Sequence, residues 1–149
     1  MKLFSLLIIF GIFYQSLFAG STTLPKIQNQ EFPKEELKKQ KIQIASMVTK
    51  EIAKTLPQKI DQYTTLISIK NDDATLVYTF DINSGAKSDE AIIKEDHSRM
   101  QRAVTQGVCQ SSSKFLEAGI NTRYIYKSAK SKKRLFVFDI TQEACSKLK

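Results

Sequence analysis

The chain has 149 residues and a formal charge of +8 at pH 7, with 42% hydrophobic and 26% charged residues but only 5 Gly and 3 Pro. These proportions suit one globular domain with a single core and exclude a collagen-like, coiled-coil or wholly disordered chain. Two Cys and one His cannot supply four thiolate or imidazole ligands to a zinc ion.

Residues 1–20 read MKLFSLLIIFGIFYQSLFAG. One Lys, then an apolar run from Leu3 to Tyr14, then small residues at Ala19, Gly20 and Ser21 make the pattern of a secretory signal peptide. An uncleaved membrane anchor is the alternative, but the run is short for a bilayer span of roughly 20 residues. Cleavage after Ser21 or after Ala19 fits the small-residue rule. Phe18-Ala19-Gly20-Ser21 has the shape of a lipoprotein box with Ser21 where the acylated Cys would stand, so no acyl anchor is expected. The mature chain then carries +7 and no further apolar run long enough to cross a membrane. A periplasmic or secreted location is expected, and with it an oxidising environment.

Residues 21–33 (STTLPKIQNQEFP) hold two prolines and no period, which predicts a flexible tether. A single α+β domain is expected over 34–149. From Glu35 to Leu56, apolar or long side chains recur at Leu37, Lys41, Ile44, Val48, Ile52 and Leu56, with Met47 beside them. That spacing predicts an amphipathic helix with acids in its first turn and Pro57 as its stop. Thr64 to Ile69 is β-branched and apolar, and Asn71-Asp72-Asp73 is a turn signal. Thr75 to Ile82 alternates, with Leu76, Tyr78, Phe80 and Ile82 on one face. These two segments predict a hairpin.

After a loop at 83–87, residues 88–110 predict a second helix with Ile93, His97, Met100, Val104 and Val108 on one stripe. A short piece from Ser111 to Ala118 turns Phe115 and Leu116 inward, and Gly119 supplies the left-handed residue that ends it. Asn121 to Lys127 and Arg134 to Ile140 predict a second hairpin with Thr122, Tyr124, Tyr126, Phe136, Phe138 and Ile140 facing the core. Neither hairpin is stable alone in water. Paired, they give a four-stranded antiparallel sheet covered by two main helices, a two-layer α+β sandwich.

Cys109 ends the second helix and Cys145 follows the last strand. In an exported chain two such residues most simply form one disulfide, closing a loop worth roughly 4 kcal/mol on the chain-entropy argument. A redox-active pair is the alternative, though no C-x-x-C spacing supports it. His97 lies in register with Ile93 and Met100, which reads as a core-edge histidine and not a catalytic one. Asp72, Asp73, Glu90, Glu95 and Asp96 have no metal-ligand spacing. No cofactor and no catalytic residue are therefore expected. The basic run Lys127 to Arg134 (KSAKSKKR) reads first as a solvated hairpin tip that also guards an edge. Binding of an acidic envelope surface is its alternative, and export makes nucleic acid an unsuited partner.

What remains is recognition of another protein in a groove between helix and sheet. Leu56-Pro57, Tyr63-Thr64, Cys109, the segment Phe115-Leu116-Glu117-Ala118-Gly119-Ile120-Asn121, Tyr124 and Cys145 resemble, in this order, the small periplasmic pilotins of the type II secretion system, the AspS or GspS-beta kind. The resemblance covers about Ala45 to Cys145. It implies an α/β sandwich with one disulfide, Cys109 to Cys145, and binding of a C-terminal secretin segment as a helix. It also implies escort of that secretin to the outer membrane. Those pilotins are lipoproteins, and Ser21 removes the attachment point, so the chain is read as a soluble, non-lipidated relative. The partner is expected to be an envelope protein. A small periplasmic inhibitor or stress protein, and an unrecognised enzyme, are the two other readings.

Overall fold

The computed structural model describes residues 33–148. The signal peptide expected over 1–20, and the tether expected over 21–33 apart from Pro33, lie outside the described residues. Helix α1 spans Lys34–Ala53, with Glu35 and Glu36 in its first turn, where carboxylates oppose the positive end of the helix dipole. It stops three residues short of the expected Leu56. Lys54 to Leu56 continue only as turns bonded back to Glu51, Ile52 and Ala53. The Leu56–Pro57 bond is cis, and Pro57 has no N–H with which to extend a helix.

Strand β1 is Gln58–Lys59, β2 is Thr64–Asp72 and β3 is Thr75–Ile82. β2 is longer than the sequence suggests. Asn71 and Asp72 are its last residues, and the reversal falls on Asp73, in the left-handed region at φ 48°, a conformation Asp tolerates. Helix α2 spans Asp89–Ser111, and the hydroxyl of its N-cap Ser88 accepts a bond from the Ala91 N–H. The short helix α3, Ser113–Glu117, ends before Gly119 at φ +76°. β4 is Asn121–Ser128, β5 is Arg134–Ile140, and a final helix α4, Gln142–Ser146, was not anticipated.

The sheet has five strands in the order β1-β2-β3-β4-β5, and it is mixed, not four-stranded and antiparallel. The two hairpins β2–β3 and β4–β5 are antiparallel, but β3 and β4 run parallel, Thr75 beside Asn121 through to Ile82 beside Ser128. The cause is the connection. α2 carries the chain from the end of β3 back to the level of its start, and a strand entered after such a crossover is parallel to the one it left. The fifth strand comes from the two residues that leave Pro57, which pair with Leu66 and Thr65.

Register sorts the core into rungs. Tyr78, Tyr124 and Phe138 stand side by side, as do Phe80, Tyr126 and Phe136, and Leu76, Thr122 and Ile140. All lie on one face. α2 contributes Ile92 and Val108 to the larger buried cluster on that face, and Ile52 and Leu56 pack against it from the α1 side. α1 sets Ala45 against Leu76 and Ile120. Both long helices therefore cover the same face, α1 over β2 and β3, α2 over β5. Ile140 and Leu116 are almost wholly enclosed, each contributing about 1.5–3 kcal/mol by area.

The helix faces are rotated from expectation. On α1 the buried residues are Ala45 and Thr49, whereas Leu37, Ile44 and Met47 are exposed. Small side chains let the helix sit close on the sheet, and the larger ones are displaced to its flank. On α2 Ile92 is buried, and Ile93 and His97 are exposed. The inward row runs from buried Ile92 through half-buried Met100 and Val104 to buried Val108, one position away from the expected start. Phe115, expected inward, is 38% exposed, while its neighbour Leu116 is buried. Val77, on the opposite sheet face, is 3% exposed, not half open. It stands between Lys70 and Arg123 in register, whose aliphatic stems can cover it.

Candidate helix–sheet groove

α1 and α2 lie over different strands of one sheet face and barely touch. Between them the core face of β3 and β4 is aromatic. Tyr78 stacks on Tyr124 at 5.1 Å between ring centroids, Phe80 on Tyr124 at 5.3 Å and Phe80 on Tyr126 at 4.9 Å. Burial pushes the Tyr78 and Tyr124 phenols upward and Tyr126 to about 12, because a phenolate is poorly solvated there. These phenols therefore stay neutral within the core.

A cavity of about 540 Å³ opens between α2 and the β1–β2 turn. Ile92, Met100 and Ala103 form its helical wall, Ile82 and Thr64 its base, and Tyr63 its outer lip. The turn opposite α2 is held by the Asp61 carboxylate, which accepts the N–H groups of Tyr63 at 2.7 Å and Thr64 at 2.8 Å. These bonds, the one from Tyr63 foremost, hold Asp61 below the usual carboxylate range. Charges stand at the rim. Arg99 pairs with Asp96 at 2.6 Å, and Lys87 with Glu95 at 2.8 Å. Apolar walls and a charged rim are what an amphipathic segment needs from a receptor.

Gly107 lies one turn beyond Ala103 on α2, outside the cavity lining, and nothing comes within 4 Å of where its Cβ would be. A glycine inside a helix costs about 1 kcal/mol against alanine, and packing within the described fold does not require it. On α1, Lys41 reaches the Gly119 corner, its Nζ 2.6 Å from the position a Cβ would take there. That orients the Lys41 flank of α1 toward β4, and Leu37, Ile44 and Val48 follow at helical spacing on the same flank.

The residues singled out in the sequence fall in other places. Cys109 and Cys145 are joined by a disulfide, with Cα atoms 5.5 Å apart, tying the end of α2 to α4. His97 is exposed at the edge of the core on the β5 side of α2, as its register suggests, its ring 5.7 Å from Phe136 and 5.5 Å from Phe138. No nucleophile is within its bonded surroundings among the described residues. Glu95 and Asp96 serve the rim ion pairs, and no cluster of three His, Cys, Asp or Glu suited to a metal occurs among the described residues. The basic tip 127–134 is folded against its surroundings. Ser131 donates to Asp89 at 2.5 Å and Lys132 pairs with Asp81 at 2.7 Å. A groove between helix and sheet is what the sequence leads one to expect, but its lining residues come from three separated segments and no local spacing marks them.

Comparison with known proteins places this geometry. The family described as a domain of unknown function (DUF8479) matches residues 36–136. No curated protein matches the sequence. Among solved structures, a candidate secreted protein of Pseudomonas aeruginosa superposes with a TM-score of 0.64 at 13% identity, covering 73% of this chain and 96% of that one. The type 2 secretion pilotin EpsS of Vibrio vulnificus gives 0.62 at 15% identity, with 74% and 96% covered. The type II secretion pilotin AspS of Vibrio cholerae gives 0.58 at 17% identity, with 74% and 97% covered. At these identities the likeness is one of fold, and the fold is pilotin-like. Among the described residues no helix is long and apolar enough to cross a membrane.

Proposed function

We propose that this chain, which belongs to the family described as a domain of unknown function (DUF8479), is an exported protein-binding domain without catalytic activity. It works in the manner its resemblance to pilotins implies, by taking an apolar helical segment of an envelope protein into the groove beside α2. A C-terminal secretin segment is the partner this reading names. The observation that carries it is the groove on a pilotin-like fold: Ile92, Met100 and Ala103 face Tyr63 and Ile82 across open space. Export is supported by the leader over 1–20 and by the Cys109–Cys145 bridge, since such bonds persist in oxidising compartments. Ser21 in place of an acylated Cys makes it a carrier without its own lipid.

The test is direct binding. Fluorescein-labelled peptides from the C-termini of the secretins of the producing organism are titrated with the mature chain and followed by anisotropy. One peptide should bind in the micromolar range, gain helical circular dichroism, and lose binding when Met100→Glu puts a charge in the wall. If no secretin peptide binds more tightly than its scrambled counterpart, the reading is wrong.

A further inference from the structure

The sheet face opposite the helices carries Thr79, Ile125 and Val137 in one rung, and Asp81, Lys127 and Arg134 in the next. A bulge between Tyr126 and Lys127 sets this pattern. It leaves Leu135 without an opposite residue and places that side chain in the buried core, so Arg134 pairs with Lys127 on the open side. Ile67, at the bulge of β2, and Val137 are 37% and 36% exposed. Among the described elements no helix covers this face.

Its charge is uneven. At the β2 turn end Arg123 is neutralised by Asp139 at 2.5 Å. At the hairpin end stand Lys127, Lys130, Lys132, Lys133 and Arg134, with Lys130 and Lys133 near Asp89 of α2. Asp81 is taken by Lys132. Among the described residues Lys127, Lys130, Lys133 and Arg134 are in no ion pair. The tip is also ordered. Ser128 is 1% exposed, its hydroxyl accepts the Ser131 N–H, and the Ala129 N–H donates to the Ile82 carbonyl at 2.8 Å. A charge run that only kept a loop in solution would need none of these ties. Lys127 and Arg134 in the rung beside that of Val137, on an ordered hairpin, and exposed Ile67 and Val137 are suited to a planar polyanion with an apolar interior.

We propose that this open sheet face, with the 127–134 hairpin at its edge, docks on the surface of an anionic phospholipid bilayer. The argument is charge complementarity joined to the apolar patch, and it goes beyond the groove reading, which concerns the opposite face. Docked in this way, the chain holds its groove away from the bilayer and open to a partner. Each cation near an anionic membrane strengthens binding about fivefold at low salt, and the effect fades within a Debye length.

The mature chain is sedimented with vesicles of phosphatidylethanolamine and phosphatidylglycerol, and in parallel with phosphatidylcholine vesicles. Binding to the anionic vesicles should weaken steeply with added salt. The triple change Lys127→Gln, Lys130→Gln, Lys133→Gln should reduce it on the order of a hundredfold, while circular dichroism and secretin-peptide binding stay as in the parent. Lys132 is kept, because it pairs with Asp81. A control triple with the same loss of charge on α1, Lys38→Gln, Lys39→Gln and Lys50→Gln, should bind within a few fold of the parent. Equal loss in both triples would reduce the effect to net charge and overturn the assignment. So would equal binding to phosphatidylcholine, no vesicle binding at low salt, or binding of a single-stranded oligonucleotide without vesicle binding.

Discussion

Replacing both Cys109 and Cys145 by Ala should remove the tie between α2 and α4 and lower the melting temperature substantially. The bridge joins residues 36 apart in sequence. For a loop of this length the chain-entropy argument gives about 4 kcal/mol at 25 °C, gained by restricting the unfolded chain. For a domain somewhat over 100 residues, about 1 kcal/mol moves the midpoint by roughly 4 °C, so the expected fall is about 15 °C. Both cysteines also pack against the main core, and Ala retains their β-carbons, which keeps the packing loss small beside the entropy effect. The assay is thermal unfolding by far-ultraviolet circular dichroism of the oxidised parent, the parent with reductant, and the double variant. The last two should melt within a few degrees of one another and well below the first. An unchanged midpoint in the double variant would refute the reasoning, since it would mean that closing the loop does not restrict the unfolded ensemble.

Three further outcomes are expected. Burial raises the phenols of Tyr78 and Tyr124, and that of Tyr126 to about 12, so the neutral form is favoured in the fold. This stability is fully present below the unfolded tyrosine value near 10 and is lost as pH rises from there toward 12; phenolate absorbance near 295 nm should appear together with loss of ellipticity, and full phenolate formation in a still-folded chain would contradict it. Gly107→Ala should stabilise the domain by about 1 kcal/mol in thermal or denaturant unfolding, because nothing within 4 Å opposes the added Cβ; a loss of stability would contradict it. Intact mass spectrometry of periplasmic material should show a start near Gly20 to Thr22, two hydrogens fewer than the reduced chain, and no acyl mass.

The elements were legible because their signals are local. The alternation of Leu76, Tyr78, Phe80 and Ile82 and the positive φ of Gly119 follow from residue type and spacing. The parallel junction of β3 and β4 was not legible, because each hairpin reads the same whether its neighbour runs with it or against it. Only the path of α2 decides that. The helix faces were misread for a related reason. Hydrophobic spacing favours Leu37, Ile44 and Met47, but close approach to the sheet favours Ala45 and Thr49, and size competes with hydrophobicity when a helix lies flat. The α4 helix is a single short turn capped by Thr141, which accepts the Ala144 N–H at 3.2 Å, too brief for periodicity to mark. The groove is assembled from Ile82, Ile92 and Tyr63, whose proximity no sequence spacing encodes.

Photocrosslinking inside the envelope addresses the central claim most closely. Benzoylphenylalanine at Ala103, in the groove wall, should form an adduct with the C-terminal segment of a secretin, identified by peptide mass, while the same group at His97 on the β5 side of α2 should not. Adducts of equal yield from both positions, or none with a secretin from Ala103, would contradict a groove-binding pilotin-like role.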